Sequence, residues 1–192
     1  MSTAGPQLVM RRPHLRRLPE ADLVAGYTIR DFQAGDEEGW AELLAAAFER
    51  ELAQFDFHRM MASDPAFQPS RVKFVVAPDE SLAASASSWL SARFGLDNST
   101  LHWVGTAPAH KGKRLGYEVS LAALKQAFSE RRAAAYLLTD DERIAAIKTY
   151  LRLGFVPVLT DPSHARRWRT VLEGIGDEHH LAVLEGPVEV FR

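Results

Sequence analysis

Cysteine is absent from the 192 residues. That removes disulfide frameworks, thiolate metal sites and any cysteine nucleophile, so an acyl-enzyme intermediate would need another side chain. Long apolar runs are missing too; none approaches the roughly 20 residues that span a bilayer. Nor is there an excess of either charge. Against 25 Asp and Glu stand 23 Lys and Arg, a net charge of −2, which is not the basic excess that a general nucleic-acid binder needs. The pairs Arg11-Arg12 and Arg16-Arg17 are followed by Pro19-Glu20-Ala21-Asp22, where a twin-arginine signal would carry an apolar segment. The expectation is a soluble, cytoplasmic protein with neither nucleic acid nor membrane as partner.

What remains is ordinary globular material, 46% apolar and 25% charged, enough for one domain with a sizeable core. Residues 1–22, with Pro6, Pro13, Pro19 and four arginines, predict an extended N-terminal arm outside that core, and residues 23–192 the folded domain. Residues 23–32 alternate as a first strand. Trp40, Leu43, Leu44, Ala47 and Phe48 then recur at helical spacing over residues 36–50, and a second helical stretch covers 51–61. Residues 72–77 and 82–93 predict a hairpin about Pro78-Asp79-Glu80, and residues 100–106 a central strand.

The stretch from Val104 to Leu124 organises the rest. It runs from that strand through Lys111-Gly112-Lys113-Arg114-Leu115-Gly116 into an apolar helix over 114–128, whose solvent edge is marked by Glu118, Lys125 and Ser129. A helix begins with N–H groups that lack intrahelical partners and carry partial positive charge, so such a turn can wrap a phosphate or pyrophosphate. Residues 133–138 follow as a strand parallel to the central one. Thr139 and Glu142 fit a capping box for the next helix, which Gly154 ends. A strand over 155–158, a helix over 163–175 and closing strand material at 181–184 and 188–191 complete the chain. Arg166, Arg167 and Arg169 form a basic cluster that reads either as a site for an anion or, more simply, as a solvated face. His179-His180 beside Asp177-Glu178 lacks a spaced third ligand, so no metal is expected.

The loop resembles the acyl-CoA-binding motif of the GNAT superfamily of N-acetyltransferases, Arg/Gln-x-x-Gly-x-Gly/Ala, with Lys111 at the first marked position, Arg114 at the second and Gly116 at the third. Residues 140–157 resemble the family's later helix, Asn-x-x-Ala-x-x-x-Tyr-x-x-x-Gly-Phe: Ala146, Tyr150, Gly154 and Phe155 match, and Arg143 replaces the Asn. The resemblance implies an α/β (α+β) fold, with a single mixed, mostly antiparallel twisted sheet of about six or seven strands. Helices should cover both faces, and a central parallel pair should splay. It implies acetyl-CoA as co-substrate, without a metal, and a primary amine on a small molecule or peptide as acceptor, attacked directly in a ternary complex. It also suggests a homodimer.

By that resemblance Tyr150 is the acid that protonates the departing thiolate. Val104, Thr106, Lys111, Gly112, Lys113, Arg114, Leu115, Gly116 and Arg143 would bind the cofactor, with a strand bulge placed most cheaply at Gly105. Glu49, Glu51, Asp56, His58 and His102 are available bases; His102 is attractive on the central strand near the expected thioester, a buried structural histidine is an equal reading, and the base stays unassigned. The departures at Lys111, Arg114 and Arg143 leave a second reading, a catalytically silent acyl-CoA-binding module that regulates a partner.

Overall fold

The computed structural model describes residues 5–181 and 184. Among them, seven strands form one sheet in the order β2-β3-β4-β5-β6-β1-β7. The strands are β1 (Leu8–Arg12), β2 (Thr28–Asp31), β3 (Val72–Val76), β4 (Leu82–Trp89), β5 (Ser99–Thr106), β6 (Ala135–Thr139) and β7 (Val156–Val158). Every neighbouring pair is antiparallel except β5 and β6. The expected mixed, mostly antiparallel sheet with a central parallel pair is present.

Alternation along the strands sets the two faces. Val72 and Phe74 of β3 point to one apolar cluster while Val75 points to the other. The first cluster is filled by α1 (Glu37–Phe48), through Trp40, Leu43 and Leu44. On the opposite face lie α2 (Leu115–Ser129), α3 (Ile144–Arg152) and α4 (His164–Ile175), which contribute Val119, Leu124, Ile147 and Trp168. The small side chains of β4, Ala83 to Ser87, let α2 lie close against the sheet. A short α5 (Glu178–Leu181) follows α4.

Several expectations need correction. The N-terminal segment is not an arm outside the core: β1 pairs with β6 on one side and β7 on the other, and Leu8, Val9 and Met10 are fully buried. A strand buried on both faces reads as a short continuous apolar run without alternation, which flanking prolines and arginines conceal. Residues 51–61 hold no regular helix but a 3₁₀ turn at Leu52–Gln54 and a single π turn at His58–Ala62. Thr139 does not cap α3; it closes β6 opposite Leu8, and the helix starts at Ile144 after a turn. On α2, the expected solvent edge holds at Ser129, which is exposed, and partly at Lys125, but Glu118 is buried at 1% exposure while Phe128 is open at 54%. Glu118 accepts an N–H from Arg114 one turn back and the backbone N–H of Asp22, which belongs to a segment beyond the reach of helical periodicity. The closing strand expected at 188–191 lies outside the described residues.

The segment before β1 and the end of β1 are tied down by polar contacts. The buried His164 ring reaches the Pro6 carbonyl at 3.3 Å, Arg167 donates to the same carbonyl at 2.6 Å, and Arg12 donates to the Leu153 carbonyl. If β1 is core, Met10→Ala removes a fully buried side chain and should cost about 2–5 kcal/mol in urea denaturation. A change below about 0.5 kcal/mol would mean that the segment contributes nothing to the fold.

Candidate functional site

Four elements converge on a cleft of about 800 Å³: the end of α1, the loop between β5 and α2, the far end of β5, and α3 with the turn before it. The loop supplies Lys111, Gly112, Arg114, Leu115 and Gly116 to its wall. Gly112 and Arg114 both have positive φ, +83° and +59°, and this left-handed geometry turns successive N–H groups to one side. None of the amides of residues 112–116 finds an acceptor among the described residues; the first helical bonds of α2 are donated by Tyr117 and Glu118 to Arg114. A Cβ at Gly112 would meet nothing within 4 Å, whereas at Gly116 it would come to 3.2 Å from the Thr106 hydroxyl. Such a cradle, at the positive end of a helix, fits a pyrophosphate.

Arg114 adopts a backbone conformation that glycine takes without cost. The departure from the motif therefore puts a side chain where the backbone is left-handed. The guanidinium turns to Glu118 at 3.4 Å, to Asp22 at 3.7 Å and across the Tyr117 ring. Lys111 is exposed and without a partner among the described residues. Lys113 points the other way and donates to the Tyr27 hydroxyl, so the structure does not bring it to the cleft wall.

The parallel pair is short. Only Ser99–Ala135 and Thr100–Tyr136 are in register, and beyond Thr100 the β6-facing edge of β5 has no strand partner. On its other edge, β5 carries a bulge between the Ser85 and Ser87 pairings, and the residue in the left-handed conformation there is Trp103, at φ +49°. This corrects the expected position at Gly105. Gly105 has a different reason to lack a side chain: a Cβ would lie 2.7 Å from Leu44 and 3.1 Å from Ala47, so α1 could not pack so closely. Trp103 is held by ring contacts to Trp40, Phe48 and Phe55, with centroids 5.8–6.0 Å away. Val104, Gly105 and Thr106 line the cleft.

At the inner wall stands Tyr150, buried at 5% exposure. Burial pushes its phenol up to about 12, and the positive charge of Arg143 pulls back against that rise. The hydroxyl is therefore protonated across the neutral range and available as a donor. Arg143 ends the turn before α3, where its guanidinium lies 4.2 Å from the Phe48 ring centroid and 3.7 Å from Asp140. It thus bridges the end of α1 to the start of α3 beside the cleft.

A second cavity, of about 580 Å³, opens where β5 and β6 part, lined by Thr100, His102 and Leu138 with Asp64, Trp89 and Phe94. Burial pushes His102 down to about 4, partly opposed by the Asp64 carboxylate, which accepts the Trp89 indole N–H at 3.2 Å. Glu49 lines the first cleft, whereas Glu51, Asp56 and His58 line neither. The motifs did not mark Phe48, Asp64 or Trp89. Phe48 was legible as the last apolar position of α1, but the role of Asp64 depends on a loop whose path no periodicity predicts. The arginine cluster of α4 lines neither cavity: Arg166 and Arg169 are exposed, and Arg167 is paired with Asp141. Asp177 engages His180 at 2.8 Å, and among the described residues no group of three or more side chains could hold a metal. No helix among them is long and apolar enough to cross a membrane.

A parallel pair that separates after two registered residues, with free amides at the head of its crossover helix, is the architecture of the N-acetyltransferase fold. The sequence model of the Acetyltransferase (GNAT) family matches residues 35–155, and the chain belongs to that family. It is similar to the mycothiol acetyltransferase of Kineococcus radiotolerans, 31% identical over 156 residues that make up 79% of this chain and 50% of that protein. The corresponding protein of Frankia alni is 30% identical over 83% of this chain and 52% of its own length. The chain thus spans about half the length of the curated relatives it matches. Among solved structures, a GCN5-related N-acetyltransferase from Sphaerobacter thermophilus superimposes with a TM-score of 0.61 at 20% identity, over 80% of this chain and 50% of that one, a likeness of fold.

The position of His102 has a consequence for pH. Its folded-state pKa lies below the ordinary 6.5, so the unfolded chain binds the extra proton first and stability falls as pH drops from about 6.5 to about 4. Replacing His102 with Gln should remove up to about 3 kcal/mol of that acid sensitivity, read as the difference between unfolding free energies at pH 7 and pH 4. An unchanged pH slope would mean that the ring is not held neutral by burial.

Proposed function

We propose that the protein is an N-acetyltransferase that moves an acetyl group from acetyl-CoA to the primary amine of a small molecule or peptide, by direct attack with both partners bound. The observation that carries this reading is the run of partnerless amides at residues 112–116, of which Gly112, Arg114, Leu115 and Gly116 line a cleft that also reaches a buried phenol. In this reading acetyl-CoA supplies the activated thioester. The amides of Gly112, Lys113, Arg114, Leu115 and Gly116 hold its pyrophosphate, with Lys111 adding a full charge beside them. The free edge of β5 at Val104 and Thr106 pairs with the pantetheine arm as an added strand would. Arg143 bounds the inner end of the cleft.

Tyr150 is the residue assigned to the leaving thiolate. A thiol near 8.5 is a stronger acid than a phenol near 12, so complete transfer from Tyr150 to sulfur is uphill by several units. The phenol acts best by donating a hydrogen bond as charge develops on sulfur, an interaction absent from the neutral thioester. The nearby Arg143 lowers the cost of any transfer. For the amine, the cavity at the parting of β5 and β6 is the proposed entry, with Asp64 attracting the ammonium form. His102, near 4, is too weak a base to strip a proton from an ammonium; its neutral ring can accept a hydrogen bond from an amine already deprotonated by solvent. The name shared by the curated relatives makes a mycothiol-type small molecule the first acceptor to try.

Thermal shift with CoA and acetyl-CoA, paired with thiol release over an amine panel, tests the proposal. Binding with turnover supports it, whereas binding without turnover on any amine favours the silent regulatory module. Tyr150→Phe should lower kcat by about 10²-fold or more while leaving acetyl-CoA affinity within about threefold. Undiminished turnover would remove Tyr150 from the reaction.

A further inference from the structure

We propose that His110 is a further phosphate-binding residue of the cofactor cleft, held in place by Tyr27 and Lys113 through a hydrogen-bonded chain; this rests on the acetyl-CoA reading above. His110 lines the cleft immediately before the amide cradle. Its Nδ1 is 3.0 Å from the Tyr27 hydroxyl, and that oxygen accepts from the Lys113 ammonium at 2.7 Å. The Tyr27 and His110 rings meet edge to face, 5.8 Å between centroids, which fixes the plane of the imidazole.

The order of the chain follows from donor and acceptor chemistry. An ammonium only donates, so the phenol oxygen accepts from Lys113 and has its own hydrogen to give to His110 Nδ1. The imidazole then carries its proton on Nε2, the nitrogen that Tyr27 leaves free, and presents an N–H donor. Asp79, whose field reaches His110, has its carboxylate engaged by the Ser81 amide and hydroxyl. This arrangement also explains why Lys113 turns away from the cleft wall. Its charge acts through Tyr27, while Lys111 stays free for direct contact. The ligand is recognised as a phosphate ester, either the pyrophosphate or the 3′-phosphate of CoA.

The test is calorimetric titration of the intact protein and of the His110→Ala, Tyr27→Phe and doubly substituted proteins with CoA and with 3′-dephospho-CoA, alongside acetyl-CoA kinetics. His110→Ala should weaken CoA binding about tenfold, the loss of one hydrogen bond to a charged group. Tyr27→Phe should weaken it severalfold, and the double substitution should be no worse than His110→Ala. The deficit should fall on KM for acetyl-CoA much more than on kcat. A deficit that vanishes with 3′-dephospho-CoA supports contact with the 3′-phosphate, and one that persists supports contact with the pyrophosphate. Equal CoA affinity in the unsubstituted and His110→Ala proteins would overturn the assignment. Full affinity in Tyr27→Phe beside a weak His110→Ala would overturn the positioning role. Failure of the unsubstituted protein to bind CoA would instead overturn the acetyl-CoA reading itself, a result distinguishable because it needs no variant.

Discussion

The separation of β5 from β6 after Thr100 governs the rest of the structure. A strand edge in the interior of a sheet ordinarily satisfies its N–H and C=O groups by pairing, and each group left without a partner away from water costs about 1–3 kcal/mol. Here the edge from residues 101 to 106 is held open by its surroundings. The α2 crossover returns the chain to β6 in parallel, β1, itself flanked by β7, pairs with β6 on its far side, and α3 brings Tyr150 to the cleft. Water or an extended ligand must then satisfy that edge, so the cleft is a direct result of strand pairing that stops early.

Strain is located at the same place. Trp103 and Arg114, beside the opening, both have left-handed backbones, a conformation costing roughly 1–2 kcal/mol for a residue with a Cβ. Each is compensated differently. Trp103 is held by an aromatic cluster that includes Trp40, Phe48 and Phe55. Arg114 has ion pairs with Glu118 and Asp22 as well as the Tyr117 ring. The bulge aims the backbone of Val104, and the loop aims the amides that follow Lys111. Both distortions change the direction of main-chain groups, which is what a site built from amides and a free strand edge requires.

Legibility in the sequence followed the range of the interactions. Periodicity and turn chemistry act over a few residues, and they were sufficient for α1, α2, the β3–β4 hairpin, β5 and the Tyr150 helix. The loop and the helix are legible through motif spacing, and Arg114 shows that a glycine position of the motif can carry a side chain on a left-handed backbone. What escaped was set by distant partners. Glu118 is buried because Asp22, far away in sequence, donates to it. Lys113 leaves the cleft because Tyr27 is within reach. The bulge lies at Trp103 rather than Gly105, where an aromatic cluster holds the strained tryptophan, and Gly105 is needed instead for the close approach of α1.

The start of the chain shows how far such coupling extends. β1 fills the slot between β6 and β7, so the register of the strand leading to Tyr150 is set partly by residues 8–12. Gln7, just before β1, donates to Asp140 at 3.1 Å, and Asp140 pairs with Arg143. Arg167 joins Pro6 to Asp141 in the same turn. The turn that presents Arg143 to Phe48, and whose charge acts on Tyr150, is therefore fastened from the N-terminal segment rather than by a capping side chain of its own helix. A helix lacking a cap is free to shift by a fraction of a turn, and at the inner wall of a cleft such a shift would displace the phenol by more than a hydrogen bond tolerates. The contacts of residues 6–12 supply the restraint that the missing cap does not, which gives this segment a role in the site although it lies outside both recognised motifs.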